Sequence, residues 1–227
     1  MKLMIPSSLV IIFFAFIFIV SCEKDNDDND NNPGTQTNCC TDTISFQIPN
    51  WDYFSETDQT FHPTAGNLTQ TTEGFKFFGT SYRHGSRIST KNVFCLKNKT
   101  IKTRWKVNGG STLNSFAVSL HYDKNAPSTD KVNTVDLNFF VVNGSLTGAT
   151  TIQNDIWYYT RIKFNETDAI SITSTNNYDD AGGSVISSAT YPIKLPAGYP
   201  SIYSGDTFGG TSVYMVVSEY RLLCNDN

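Results

Sequence analysis

From residue 43 onward the chain alternates between apolar and polar side chains with a period of two. In residues 155–164, Ile156, Tyr158, Thr160, Ile162 and Phe164 fall on one side of an extended chain, and Trp157, Tyr159, Arg161 and Lys163 fall on the other, because successive strand residues point to opposite faces. In residues 115–122, Phe116, Val118, Leu120 and Tyr122 oppose Ser115, Ala117, Ser119 and His121. In residues 135–142, Leu137, Phe139 and Val141 alternate with Asp136, Asn138 and Phe140. No segment carries apolar residues at helical spacing for more than two turns. The pattern therefore predicts half-buried strands near 43–48, 74–81, 86–91, 100–108, 114–122, 134–142, 156–164, 168–174, 184–187 and 212–223, bounded by Gly, Asn, Asp or Pro. That many strands call for two sheets. The last, V-Y-M-V-V-S-E-Y-R-L-L, is apolar on both faces through Val217 and is predicted to be central. No repeat of about 20 to 50 residues is present, which argues against a propeller or solenoid.

Composition agrees: 16 Phe, 11 Tyr and 3 Trp accompany abundant Thr, Ser, Val and Ile, while Ala and Leu are sparse. The fold class expected is all-β, a two-sheet antiparallel β-sandwich spanning residues 43–227.

Ahead of that domain the chain changes character twice. Lys2 is followed by residues 9–20 without a polar side chain, a stretch too short for about 30 Å of hydrocarbon, and so residues 1–21 read as a signal peptide. Between Glu23 and Asn38 there is no apolar side chain, so this segment has nothing to bury and reads as a spacer within a tether covering residues 22–42. Ile19-Val20-Ser21-Cys22 at the junction resembles the lipobox of bacterial lipoproteins, which implies lipidation of Cys22. The acidic tract after it resembles a surface-export signal of Gram-negative lipoproteins. Together these imply an outer-membrane protein, lipid-anchored and facing the exterior, with the membrane as one partner. An ordinary secretory signal and a spacer facing the periplasm are the alternatives.

Net charge is −4, and its distribution says more than its size. The tether holds Glu23, Asp25, Asp27, Asp28, Asp30 and Asp42 against Lys24, which leaves 15 basic and 15 acidic side chains in residues 43–227. Within the neutral domain, residues 75–122 carry Lys76, Arg83, Arg87, Lys91, Lys97, Lys99, Lys102, Arg104 and Lys106 and no carboxylate. No nucleic-acid motif accompanies this run, so its expected partner is an acidic polysaccharide. Pairing with the acidic later half is the plainer alternative. If Trp105 faces the core, Lys102, Arg104 and Lys106 share one outward face, and a neighbour near 115–121 would bring no carboxylate to them.

Cys39, Cys40, Cys95 and Cys224 are even in number, as a disulfide framework requires. Vicinal Cys39 and Cys40 would bond each other only under strain. One of them is expected to join Cys224 and the other Cys95. No C-x2-C spacing is present and no histidine lies near a cysteine, so no metal site is expected.

R-I-S-T-K, then T-I-K-T-R-W-K-V-N-G, a hairpin into F-A-V-S-L-H-Y, then I-W-Y-Y-T-R-I-K-F and a long closing strand resemble the concanavalin A-like or laminin-G-like jelly roll over residues 44–224. That resemblance implies glycan binding and carries over no residue by motif. Residues that suit a sugar are Trp157, Tyr159 and Arg161 on one strand face, Arg104 and Lys106 on another, and His121, Asn138, Tyr82 and Arg83 nearby in the pattern.

Catalytic patterns are scarce. There is no E-x-D-x-x-E such as a retaining glycosidase strand would present, and no G-x-S-x-G elbow. Tyr82-Arg83-His84 is the cluster a lyase would use, and it reads more readily as a loop between strands. Asn176-Asn177-Tyr178-Asp179-Asp180 lacks calcium-loop spacing and also reads as a loop. The expectation is glycan binding without cleavage and without a cofactor. A polysaccharide lyase or glycoside hydrolase, and an adhesin or assembly component binding another protein, are the alternatives.

Overall fold

The computed structural model describes residues 47–64, 67–79, 85–109, 113–178, 184–195, 197–206 and 213–224. Two sheets face each other across one core. The first runs from edge to edge through β10 (Thr150–Ile152), β9 (Thr134–Val142), β8 (Asn114–His121), β14 (Ala197–Asp206), β5 (Ser86–Thr90), β1 (Trp51–Ser55) and β2 (Thr60–His62), with β6 (Phe94–Cys95) on β14. The second runs through β13 (Val185–Pro192), β12 (Asp168–Ser174), β11 (Tyr158–Phe164), β7 (Lys99–Asn108), β15 (Val213–Cys224), β4 (Gly74–Gly79) and β3 (Leu68–Thr71). Pairing is antiparallel except between β9 and β10. The closing strand β15 lies between β7 and β4, as its two apolar faces predict.

Alternation builds the core. On β7, Ile101, Thr103, Trp105 and Val107 are buried while Lys102, Arg104 and Lys106 lie outward. On β11, Tyr158, Thr160, Ile162 and Phe164 point in. Trp105 packs at 4.9 Å from Phe140 and 5.0 Å from Tyr158, ring centre to ring centre, and donates its indole N–H to Thr160 Oγ1 at 2.9 Å, which satisfies the polar handle of an otherwise apolar ring.

Several expectations change. The predicted strand 43–48 is replaced, within the described residues, by a bend at Gln47 and a 3-10 turn at Ile48–Asn50. A-G-Y-P-S-I-Y-S-G-D, rich in turn residues, is the interior strand β14, because β8 and β5 pair with it on both sides. β7 and β8 are not a hairpin: they lie in opposite sheets. On β9 a register shift opposite Val118/Ser119 changes the phase, so Phe140 and Val142 join Leu137 in the core where Phe139 and Val141 were expected.

β8 is buried on both faces. The 122–133 loop lies against its polar face, held by Arg87, which donates to Lys124 O at 2.7 Å, Ala126 O at 3.0 Å and Glu56 Oε1 at 3.0 Å. Cys95 and Cys224 are each disulfide-bonded, and the partners expected for them, Cys39 and Cys40, lie outside the described residues, as does Cys22. No helix among the described residues is long and apolar enough to cross a membrane.

Candidate functional site

The outward face of the second sheet gathers aromatic rings and charges by register. Arg104 on β7 stands opposite Tyr159 on β11 and opposite Glu219 on β15. Trp157, just before β11, extends the row of Tyr159. The guanidinium of Arg104 lies 4.1 Å from the Trp157 ring centre and 5.5 Å from that of Tyr159, and Lys106 Nζ is 4.8 Å from Trp157. Tyr178 meets Tyr159 edge to face at 5.2 Å. Such cation–π contacts contribute about 0.5–2 kcal/mol each, and here they hold long cationic side chains flat against rings.

A bulge makes this face what it is. Between Val217 and Glu219 the pairing of β15 with β7 slips by one residue, so Tyr220 and Leu222 return to the core while Glu219 emerges beside Arg104. Without it, strict alternation would send Glu219 inward with Val217. Gly74 fits against the bulge: its φ is +136°, and a Cβ there would stand 2.2 Å from Val217 O, so only glycine is accommodated. This seats the β3–β4 turn, whose Glu73 pairs with Lys106 at 2.7 Å. A cleft of about 470 Å³ lies between that turn and Trp157, lined by Gln70, Thr71, Glu73, Arg104, Trp157 and Ser218.

The charges are mostly spoken for. Glu219 is held by Arg221, and the Tyr178 hydroxyl is kept strongly protonated, first by burial and then by the negative charge of Glu219. Among the described residues Arg104 Nε, Glu219 Oε1 and the Tyr178 hydroxyl are each buried without a hydrogen bond.

The structure thus brings together Trp157, Tyr159, Arg104 and Lys106, with Arg161 one row along, opposite Lys102. It separates the rest. His121 is wholly buried under the 122–133 loop, where desolvation, then the charge of Arg87, hold its pKa down to about 2; the imidazole is neutral and cannot meet a surface ligand. Asn138 faces the core because of the β9 phase change and bonds Ser171 and Thr173. Tyr82, Arg83 and His84 lie outside the described residues.

The cations of residues 75–122 that lie among the described residues do not form one patch. Arg87 is buried against Glu56, Lys97 meets Glu166 at 2.6 Å, and Lys106 meets Glu73. The β7 cations have β11 and β15 as neighbours, not residues 115–121, and β15 supplies Glu219. Sequence reasoning missed Tyr178, read as loop, and Glu73 and Ser218, which only the bulge and turn deliver. Glu219 had a signal, since it is the glutamate inside the closing strand. Among the described residues no cluster of His, Cys, Asp and Glu could hold a metal ion.

No family model matches the sequence, and no curated protein matches it. Solved structures do share its architecture. The exoplasmic/lumenal domain of VIP36 in its Ca2+/Man3GlcNAc-bound form is 15% identical, with 80% of this chain and 88% of that one covered at a TM-score of 0.52. A legume lectin-like domain from Entamoeba histolytica is 13% identical over 77% of this chain and 90% of its own, TM-score 0.49. The carbohydrate-binding module CBM66 from Bacillus subtilis is 10% identical over 77% and 95%, TM-score 0.47. At such identities the likeness to the VIP36 domain shows a fold alone, a two-sheet antiparallel-rich β-sandwich.

Proposed function

We propose that the domain binds a glycan on the Trp157 face and does not cleave it. The observation that carries this is the cleft with Trp157 and Arg104 on one side and the hydroxyl- and amide-bearing β3–β4 turn on the other. A sugar presents flat C–H faces to an aromatic ring and hydroxyls to fixed donors and acceptors, and both kinds of surface meet here. Of the carboxylates on this face, Glu73 and Glu219 are each engaged by a cation and Asp155 accepts from Asn108 and Tyr214, which suits positioning more than proton transfer. The exposed large apolar side chains among the described residues, Val93, Val132, Ile156, Val185 and Leu195, come from four connecting segments and the first residue of β13, so they do not favour a protein-docking patch. The shared fold with a domain carrying Man3GlcNAc supports the same reading.

Screening the full chain, oxidised and in detergent, on a glycan array should reveal at least one ligand. Trp157→Ala should then weaken that ligand at least tenfold, about 1.4 kcal/mol, with the melting temperature nearly unchanged because Trp157 is only half-buried. Absence of any glycan ligand overturns the proposal, as does full affinity in the variant.

We also propose that the acidic segment tethers this domain to a membrane through lipidated Cys22. Each buried methylene adds about 0.8 kcal/mol, and more than one chain makes attachment durable. Cys22→Ser is expected to abolish palmitate incorporation and move the protein from the membrane to the soluble fraction; membrane retention without label would refute the anchor.

A further inference from the structure

Resting on that glycan reading, we propose that the Trp157 cleft selects an acidic sugar, with Arg104 as the group that reads its carboxylate or sulfate. The cations around the cleft are not equivalent. Lys106 already has Glu73, and Arg221 already has Glu219. Arg104 lines the cleft, lies 4.1 Å from Trp157, and keeps a buried Nε with no acceptor among the described residues. A buried donor without a partner is costly, and an oxyanion in the cleft offsets that cost by lying against the same guanidinium.

Geometry favours a planar anion. With the Trp157 ring centre 4.1 Å from it, the planar guanidinium presents a fork of donors that matches two oxygens of one group. The ring beside it excludes water from one side, which strengthens the charge-assisted bonds. Gln70, Thr71 and Ser218 also line the cleft; their donors are engaged by Thr71 O, Gly74 O and Arg104 O, which leaves acceptor oxygens for the neutral hydroxyls of the same sugar. Glu73 borders the cleft and Glu219 stands opposite Arg104, and both repel additional negative charge. The ligand this fits carries one acidic group where it contacts Arg104, as a uronic acid does, in preference to a densely sulfated chain.

The test titrates the full chain with polygalacturonate, its fully methyl-esterified form, dextran sulfate and polyaspartate, beside an array of neutral, uronic, sialylated and sulfated glycans. Expected is an acidic glycan bound at least tenfold more tightly than its neutral counterpart. Arg104→Gln should erase that preference and flatten the salt dependence without moving the melting temperature, and Arg104→Lys should not restore it. If neutral and acidic forms bind equally while Trp157→Ala still loses both, the glycan reading stands and this inference falls. Equal binding of polyaspartate reduces the site to a general anion site and overturns it, and dextran sulfate as the tightest ligand overturns the preference for one isolated acidic group. Full rescue by Arg104→Lys overturns the fork. If nothing on the array binds, both readings fail together.

Discussion

Replacing Arg87 with alanine is expected to lower the unfolding free energy by about 3–5 kcal/mol, the usual cost of leaving one member of a buried ion pair alone. Arg87 has no exposed surface and Glu56 is 6% exposed. Desolvation disfavours the charged guanidinium, and Glu56 is the main opposing influence. The pair also organises its surroundings. Arg87 donates to Ser89 Oγ at 2.7 Å and to two loop carbonyls, and its guanidinium lies 4.1 Å from the Phe54 ring. Glu56 accepts from Ser128 N at 2.9 Å and Ser128 Oγ at 2.7 Å. Alanine at position 87 would leave the Glu56 carboxylate buried and remove two of the ties between the 122–133 loop and the first sheet, while Ser128–Glu56 and Lys124–Asp52 remain. Urea denaturation followed by tryptophan fluorescence and circular dichroism measures the loss; hydrogen exchange in the loop should rise in parallel. A change below about 1 kcal/mol would show that water satisfies Glu56 once Arg87 is gone. Because binding is assigned to the other sheet, glycan affinity of the folded fraction should not change.

How far the chain could be read follows from what alternation encodes. It tells which side of a strand is apolar, so the inward Trp105 and outward Arg104, and the inward Ile162 and outward Tyr159, were legible. It does not tell which sheet a strand joins, so β7 and β8 looked like a hairpin. Nor does it reveal a loop lying on the polar face, which is why His121 looked available and is sealed. Bulges change the phase by one residue without altering composition; they displaced Asn138 into the core and brought Glu219 out. β14 escaped notice because Gly198, Pro200 and Gly205 carry turn chemistry, and close approach explains the first of them: a Cβ on Gly198 would stand 2.8 Å from His121 O. The basic run misled for a related reason. Counting charge along the chain ignores partners far away in sequence, and Glu56, Glu73 and Glu166 are such partners.

Asn138→Ala is expected to cost about 3 kcal/mol, since two buried hydroxyls and two half-buried ones would lose a partner at once and each buried unsatisfied group is worth about 1–3 kcal/mol. Asn138 is 1% exposed. Its amide donates to Ser171 Oγ at 2.6 Å and Thr173 Oγ1 at 3.0 Å, and its carbonyl accepts from Ser187 Oγ at 3.2 Å and Tyr191 Oη at 3.3 Å. Thr173 continues to Thr160 at 2.8 Å, and Thr160 accepts from Trp105. One side chain from the first sheet therefore fixes two strands of the second, β12 and β13, and closes a polar chain that ends at the central tryptophan. A directional network of this kind sets how the sheets are offset, which apolar packing alone leaves loose. Volume and hydrogen bonding are separable here. Asn138→Leu fills nearly the same space and offers no polar atom, so it should lose about as much as alanine if the network is what stabilises. If leucine proves as stable as asparagine in chemical denaturation while alanine does not, packing accounts for the effect, and the hydroxyls of Ser171, Thr173, Ser187 and Tyr191 find other partners.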